Sequence, residues 1–348
     1  MSTGGHTWQE ILSQPQIWQS TLDGFATDRP ALEAFLERID YDQVVVVGCG
    51  STHYLAQSAA SALNHWIDTP ACAFPSSEVW LWDAAPRGRS LLLAVSRSGT
   101  TTETLEAVSR FRKDVGGPVL AITCYPESSL AQQADFVLAA PYAQEQSIAQ
   151  TRSFTSMLLL SLSLSATIKQ DKAMLAHLCR LPSLLDDLTD RLGGLPHDLG
   201  ADLTIDRIFY LGAGPLYGLA NEAMLKTKEM SLSYAEAYHP LEFRHGPMSM
   251  VNERTLVVGF LTDTAQAEQV HVLKDMKELG ARTLALAEDG ATLAGWQADY
   301  LVELCSSLEE WTRSPLYLPL AQRLAYHRAV AKGLDPDRPH HLTAVVEL

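Results

Sequence analysis

A strand–turn–helix pattern written twice in the chain constrains its fold more than any other feature. Val44 to Val47 is a β-branched run that ends in Gly48-Cys49-Gly50-Ser51-Thr52, and an apolar-periodic stretch from Tyr54 to Trp66 follows. A short buried run, a glycine turn and an amphipathic stretch read as strand, tight turn and helix. The same order restarts at Ile208 to Leu211, with Gly212-Ala213-Gly214 as the turn and a long helix after it. An offset of 164 residues places Asp42 on Asp206, Gly48 on Gly212, Gly50 on Gly214, Leu55 on Leu219, Ala56 on Ala220 and Ala59 on Ala223. Six identities in eighteen positions are few, but they recur at the same points of the unit.

Further strands are expected at Leu91–Val95, Val119–Thr123 and Phe136–Ala139, then at Leu256–Leu261, Thr283–Ala287 and Tyr300–Leu304. Helical patterns separate them, so the strands pair in parallel with helices on both faces, a doubly wound α/β arrangement. At roughly 150 residues per domain, 348 residues accommodate two such domains. The boundaries read as a helical segment over 1–40, with Trp8, Ile11 and Leu12 as its packing stripe, then domains over 41–192 and 200–333 and a tail over 334–348. Residues 153–192 look helical, and Gly193-Gly194-Leu195-Pro196 is the candidate linker.

Composition excludes several classes. The formal net charge of −15 opposes a polyanionic partner such as nucleic acid. No run of about 18 apolar residues spans a bilayer, and the N-terminus lacks the basic and apolar regions of a secretory signal. Five scattered cysteines form neither a disulfide framework nor a zinc spacing. The expectation is a soluble cytoplasmic protein with no metal, no cofactor, no nucleic acid and no membrane partner. A dinucleotide is disfavoured because the third glycine of its fingerprint is His53 in one copy and Tyr217 in the other. The glycines alone equally fit a tight strand-to-helix turn.

Two segments carry chemistry. Ser96-Arg97-Ser98-Gly99-Thr100-Thr101-Thr102 follows one strand directly and leads into a helix. Hydroxyls around a glycine at a helix N-terminus form a cradle for phosphate, to which Arg97 adds a cation. The plainer reading is a helix cap, which needs only one or two such residues. Without Gly-Lys-Ser/Thr the segment is no nucleotide P-loop, and a small phosphorylated metabolite fits better. In the second half, Lys226 and Glu229 stand at i and i+3 on one helix, and His245-Gly246-Pro247 follows. A carboxylate, an ammonium and an imidazole are the parts needed to move a proton between adjacent carbons of a sugar. Taken alone, such a pair is equally a solvated surface pair, and the histidine a loop residue.

Together these segments resemble the sugar isomerase (SIS) family, in particular the isomerase half of glutamine–fructose-6-phosphate aminotransferases. The matching pieces are Gly48 to Thr52, Ser96 to Thr101, Ser147 to Thr155, Leu225 to Ser231, Ala235 to Tyr238, His245 to Pro247, Leu324 to His327 and Lys332 to Pro339. The resemblance implies two tandem SIS domains, each a parallel β-sheet flanked by helices. It implies phosphate on Ser96, Arg97, Ser98 and Thr101, with Ser51, Thr52, Ile148 and Thr343 also contacting substrate. Glu229 matches the proton-transferring base, Lys226 its helper and His245 the ring-opening histidine. In that family the histidine comes from the neighbouring subunit, which implies a homodimer with shared sites.

Two departures narrow the activity. The sequence opens on the segment leading into the SIS pair, with no glutaminase and no N-terminal cysteine nucleophile, so glutamine is not the expected nitrogen donor. Where the family carries a Schiff-base lysine near the C-terminus, this chain has Ala344, which cannot attack a carbonyl. The expectation is therefore an isomerase/deaminase of an amino-sugar phosphate such as glucosamine 6-phosphate. The alternatives are a fructosamine-phosphate deglycase, a plain aldose–ketose phosphosugar isomerase and, outside enzymes, a non-catalytic sugar-phosphate sensor. The retained Glu/Lys/His trio and the lack of a helix-turn-helix segment before the first strand favour an enzyme.

Overall fold

The computed structural model describes residues 4–82, 84, 88–290, 293 and 295–343. Two five-stranded parallel sheets organise it. The first contains β1 (Gln43–Gly48), β2 (Ala71–Pro75), β3 (Ser90–Val95), β4 (Val119–Thr123) and β5 (Phe136–Ala139), in the order β2-β1-β3-β4-β5. The second contains β6 (Arg207–Leu211), β7 (Tyr234–Tyr238), β8 (Thr255–Phe260), β9 (Arg282–Ala287) and β10 (Tyr300–Glu303), in the matching order β7-β6-β8-β9-β10. Every pairing is parallel, for example Val45 opposite Cys72 and Leu92 in the first sheet and Phe209 opposite Glu236 and Val257 in the second. Central strands are continuous apolar runs because helices cover both faces of the sheet. Val44 to Val47, Leu91 to Val95 and Leu256 to Val258 are buried throughout.

The repetition extends to backbone angles. Gly50, before the helix Ser51–Trp66, has φ 54° and ψ −122°; Gly214, before the helix Pro215–Ser231, has φ 54° and ψ −127°. Positive φ of this kind is adopted at low cost only without a Cβ. Gly48 and Gly212 are required for a different reason. A Cβ at either would lie 2.4 Å from a backbone atom of the following helix, Thr52 in one copy and Leu216 in the other.

Contacts divide the chain into two compact units. One is drawn from Leu12–Gln146, Gln150–Pro182 and Thr343–Leu348 and holds the first sheet; the other is drawn from Met1–Ile11, Ser147–Ala149 and Ser183–Leu342 and holds the second. The helical segment at the N-terminus is thus shared out. The helix Gly5–Leu12 leads in the second-sheet unit, where Trp8 stacks on Tyr326 at 4.7 Å and Thr7 donates from its backbone N–H and its hydroxyl to Asp337. The helix Gln14–Leu36 belongs to the first-sheet unit, where Trp18 is wholly buried and donates to Thr155 Oγ1 at 2.8 Å. Around the expected linker, Pro196 sits in the first turn of the helix Leu195–Ala201. No helix among the described residues is long and apolar enough to cross a membrane.

Candidate functional site

The strand order puts β1 next to both β2 and β3, so the chain leaves the two neighbours β1 and β3 in opposite directions. Ligands of doubly wound sheets bind outside the carboxyl ends of strands at such a switch point. In the first-sheet unit the segments that follow β1 and β3 are Cys49 to Thr52 and Ser96 to Thr101. Both carry the hydroxyls that the sequence singled out.

After β1, Thr52 Oγ1 accepts from the Cys49 backbone N–H at 2.9 Å and donates to the Cys49 carbonyl at 3.0 Å, which fixes the turn. Ser51 and Thr52 are buried in the first turn of the helix Ser51–Trp66. After β3, Ser96 Oγ accepts from Gly99 N–H at 3.1 Å and lies 3.3 Å from Thr101 Oγ1. Ser98 Oγ accepts from both the backbone and the hydroxyl of Thr100. Gly99 has φ 66°, and a Cβ there would come within 2.0 Å of Ser128 Oγ, so the loop is closed by a glycine that packs against its neighbour. Thr101 is the N-cap residue of the helix Thr102–Asp114, yet its side chain makes no capping hydrogen bond. A plain cap would direct that hydroxyl at the first helical N–H groups.

Arg97 is buried, and its Nη1 lies 3.3 Å from Glu145, whose side chain is wholly buried. The same carboxylate accepts from the backbone N–H groups and hydroxyls of Thr151 and Ser153. Glu145 thereby ties the loop after β3 to the start of the helix Arg152–Lys169. Nothing in the sequence reading had marked it, because a single Glu in a loop carries no periodic signal.

In the second-sheet unit the helix Pro215–Ser231 presents Glu222, Lys226 and Glu229 on one face, at i, i+4 and i+7. Lys226 Nζ lies 3.3 Å from Glu222 Oε1 and contacts Glu229 Oε2. The Lys226 and Glu222 side chains are wholly buried, whereas Glu229 keeps 18% of its side chain exposed. Burial opposes the charge on Lys226, but the Glu222 and Glu229 carboxylates outweigh it and raise its pKa above the ordinary lysine value. The carboxylate that remains open to solvent is the one expected to move protons. Glu222 escaped the sequence reading, although the i, i+4 spacing to Lys226 was available to find it.

His245 lies in the same unit, exposed, after the short helix Pro240–Phe243. Among the described residues its imidazole makes no hydrogen bond or ion pair with Lys226 or Glu229. Ile148 belongs to this unit too, and its N–H donates to the Asp337 carbonyl at 3.3 Å. The neighbouring Ser147 is held through its backbone N–H and hydroxyl by the buried Glu10. Thr343 is exposed and ends the described chain, and Ala344 lies outside the described residues. The structure thus brings Lys226 and Glu229 together in one unit, and Ser96, Ser98, Thr101 and their loop together in the other.

Comparison with known proteins adds an independent line. A family model described as the SIS domain matches residues 39–166 and 204–327. A glutamine–fructose-6-phosphate aminotransferase [isomerizing] of Sulfurisphaera tokodaii is 29% identical over 344 residues, covering 97% of this chain and 56% of the relative. One from Pyrobaculum aerophilum is 30% identical over 355 residues, with the same coverage. The chain spans little more than half the length of these curated relatives. Among solved structures, a glucosamine-6-phosphate deaminase from Thermotoga maritima is 28% identical with a TM-score of 0.82, covering 99% of this chain and all of that one. A tagatose-6-phosphate ketose/aldose isomerase from Escherichia coli is 26% identical with a TM-score of 0.87, covering 97% of this chain and 96% of that one.

Proposed function

The chain belongs to the SIS domain family, and on that premise we propose that it converts an amino-sugar phosphate such as glucosamine 6-phosphate by moving a proton between C1 and C2. The observation that carries this reading is the buried Glu222–Lys226–Glu229 cluster. Burying Lys226 and Glu222 on one helix face beside the partly open Glu229 costs stability, and a well-packed apolar set would serve the core better. A charged cluster of this kind with one carboxylate open to solvent supports a role in chemistry.

The roles follow from the chemistry. Ser96, Ser98 and Thr101, with the backbone N–H groups at the start of the helix Thr102–Asp114, take the phosphate monoester. Ser51, Thr52, Ile148 and Thr343 contact the sugar. Arg97 faces a carboxylate of its own, so it supports the loop with its charge already compensated. His245 protonates the ring oxygen as the C1 hydroxyl loses its proton, which opens the ring to the aldehyde. Glu229 removes the proton from C2, and the Lys226 ammonium stabilises the negative charge that develops on the C1 oxygen. Returning the proton to C1, while the amine nitrogen gives up a proton and the C1 oxygen takes one, leaves an imine at C2. Water adds to that imine and ammonia departs, giving the ketose phosphate. No Schiff-base lysine is needed, which agrees with Ala344. The homodimer with a shared His245 is part of the same proposal.

The likeness to a ketose/aldose isomerase supports a second reading, proton transfer alone on a substrate without nitrogen. One experiment separates the two. The protein is incubated in parallel with glucosamine 6-phosphate and with an aldose phosphate lacking nitrogen, and ammonia and ketose phosphate are assayed. Ketose phosphate from an aldose phosphate, without any ammonia from the amino sugar, selects the second reading. Absence of all products from a folded protein overturns both. Glu229→Gln should abolish turnover and leave phosphate-ester binding intact.

A further inference from the structure

The two sheets share one strand order, so every loop of the first unit has a counterpart in the second. The counterpart of Ser96–Thr101, after β3, is Leu261-Thr262-Asp263-Thr264-Ala265, after β8. Each leads into a helix of 13 residues, Thr102–Asp114 in one unit and Gln266–Glu278 in the other. The two loops treat their donors differently. In the first, the N–H groups of Gly99 and Thr100 bond to serine hydroxyls of the loop itself. In the second, the donors converge on one carboxylate from outside the loop. Glu310 Oε2 accepts from the backbone N–H groups of Asp263 at 2.6 Å and Thr264 at 3.3 Å, and Glu310 Oε1 accepts from the Thr264 hydroxyl at 2.9 Å.

Two successive backbone N–H groups and a hydroxyl, ahead of a helix N-terminus, are an anion cradle, and here an anion sits in it. Glu310 is 46 and 47 residues away in sequence from the groups it binds, so it is no local cap. It is only 4% exposed. Beside it, the wholly buried Arg313 pairs with Asp263 and with Glu288, so a cation is also built in. Asp263 stands where the first loop has Ser98, and its charge would repel a phosphate.

We infer that the Glu310 carboxylate is a built-in occupant that closes the second unit's counterpart of the phosphate loop. The chain then takes one phosphate group rather than two, and the unit carrying the acid–base cluster has no phosphate site of its own. This goes beyond the proposed reaction and does not depend on the identity of the sugar.

Removing the occupant tests it. The full chain carrying Glu310→Ala should be less heat-stable than wild type and should recover with sodium acetate, which restores the missing carboxylate. At acetate near ten times its dissociation constant the melting temperature should rise by about 3 °C or more over a sodium chloride control of equal ionic strength. Wild type, its cradle filled, should show no such gain. Equal response of the two proteins to acetate would overturn the inference. So would two inorganic phosphates per wild-type chain by titration calorimetry. If Glu310→Ala does not fold, Glu310→Gln serves, because its amide still fills the space. Hydrogen exchange at the Asp263 and Thr264 amides should then quicken, and exchange rates equal to wild type would overturn the assignment. A wild-type chain that binds no phosphate at all contradicts the proposed function instead, and leaves the acetate rescue standing.

Discussion

Replacing Lys226 by methionine removes an ammonium while keeping most of the stem volume, so it reads the buried charge cluster directly. At 3.3 Å from Glu222 and an effective dielectric constant near 20, one unit-charge pair is attracted by about 5 kcal/mol. Desolvation takes much of that back, but deleting a single partner still costs about 3–5 kcal/mol, because the other charge stays buried without compensation. For a unit of this size the melting temperature should fall by about 6–20 °C. The pH dependence is the sharper readout. In wild type the Lys226 pKa is raised, so its contribution is intact below the unfolded value of about 10.4 and is lost only as pH rises through the folded one. That element is therefore level between pH 5 and pH 8. In Lys226→Met the wholly buried Glu222 carboxyl is pushed above its unfolded value of about 4.3 by burial and by the Glu229 charge. A carboxyl raised in this way weakens the fold as pH climbs through its folded-state pKa. Urea unfolding at pH 5 and pH 8 should show the larger loss at pH 8. A loss below about 1 kcal/mol, or the same loss at both values, would refute the account of the cluster.

Other substitutions separate chemistry from structure. His245→Ala should shift stability by no more than about 0.5 kcal/mol, since the side chain is exposed, while turnover of ring-closed substrate collapses; a large drop in melting temperature would contradict this. Ser98→Ala removes one hydroxyl from the loop after β3 and should raise KM about tenfold with kcat nearly unchanged, the worth of one hydrogen bond to a charged group. An unchanged KM in steady-state kinetics would take Ser98 out of the binding set. Gly48→Ala forces a Cβ to 2.4 Å from the Thr52 backbone and should cost about 1–3 kcal/mol by urea unfolding, whereas an alanine at exposed Gly24, inside the helix Gln14–Leu36 with nothing within 4 Å of its Cβ, should cost nothing.

Much of the fold was legible because apolar runs and glycine turns are local signals. Val44–Val47, Leu91–Val95, Val119–Thr123 and Phe136–Ala139 all fall on strands, as do Ile208–Leu211, Thr283–Ala287 and most of Leu256–Leu261 and Tyr300–Leu304. The two strands that were missed, β2 and β7, share a cause. Both sit at the edge of their sheet and are only partly buried. Ala71-Cys72-Ala73-Phe74-Pro75 is apolar but has no β-branched residue and ends on proline, and Tyr234-Ala235-Glu236-Ala237-Tyr238 is broken by Glu236. The candidate residues were found where motif and helix spacing coincide, as at Ser96 to Thr101 and at Lys226 with Glu229. Glu145, which supports the first of these loops, and Glu310, which fills the counterpart loop of the second unit, were invisible, because each reaches a loop through tertiary contact rather than through sequence spacing.

The helix Gly5–Leu12 has a consequence for how the chain is made. Thr7 is fastened to Asp337 and Gly4 to Asp335, 330 and 331 residues further on, so this helix waits for partners translated long after it. At roughly 5–20 residues per second that interval amounts to tens of seconds. During it Trp8 has no Tyr326 to stack on, and Glu10 meets Ser147 only partway through. Docking of this helix onto the second-sheet unit therefore cannot precede synthesis of Asp337, and a truncation before Asp337 removes the carboxylate that fastens it.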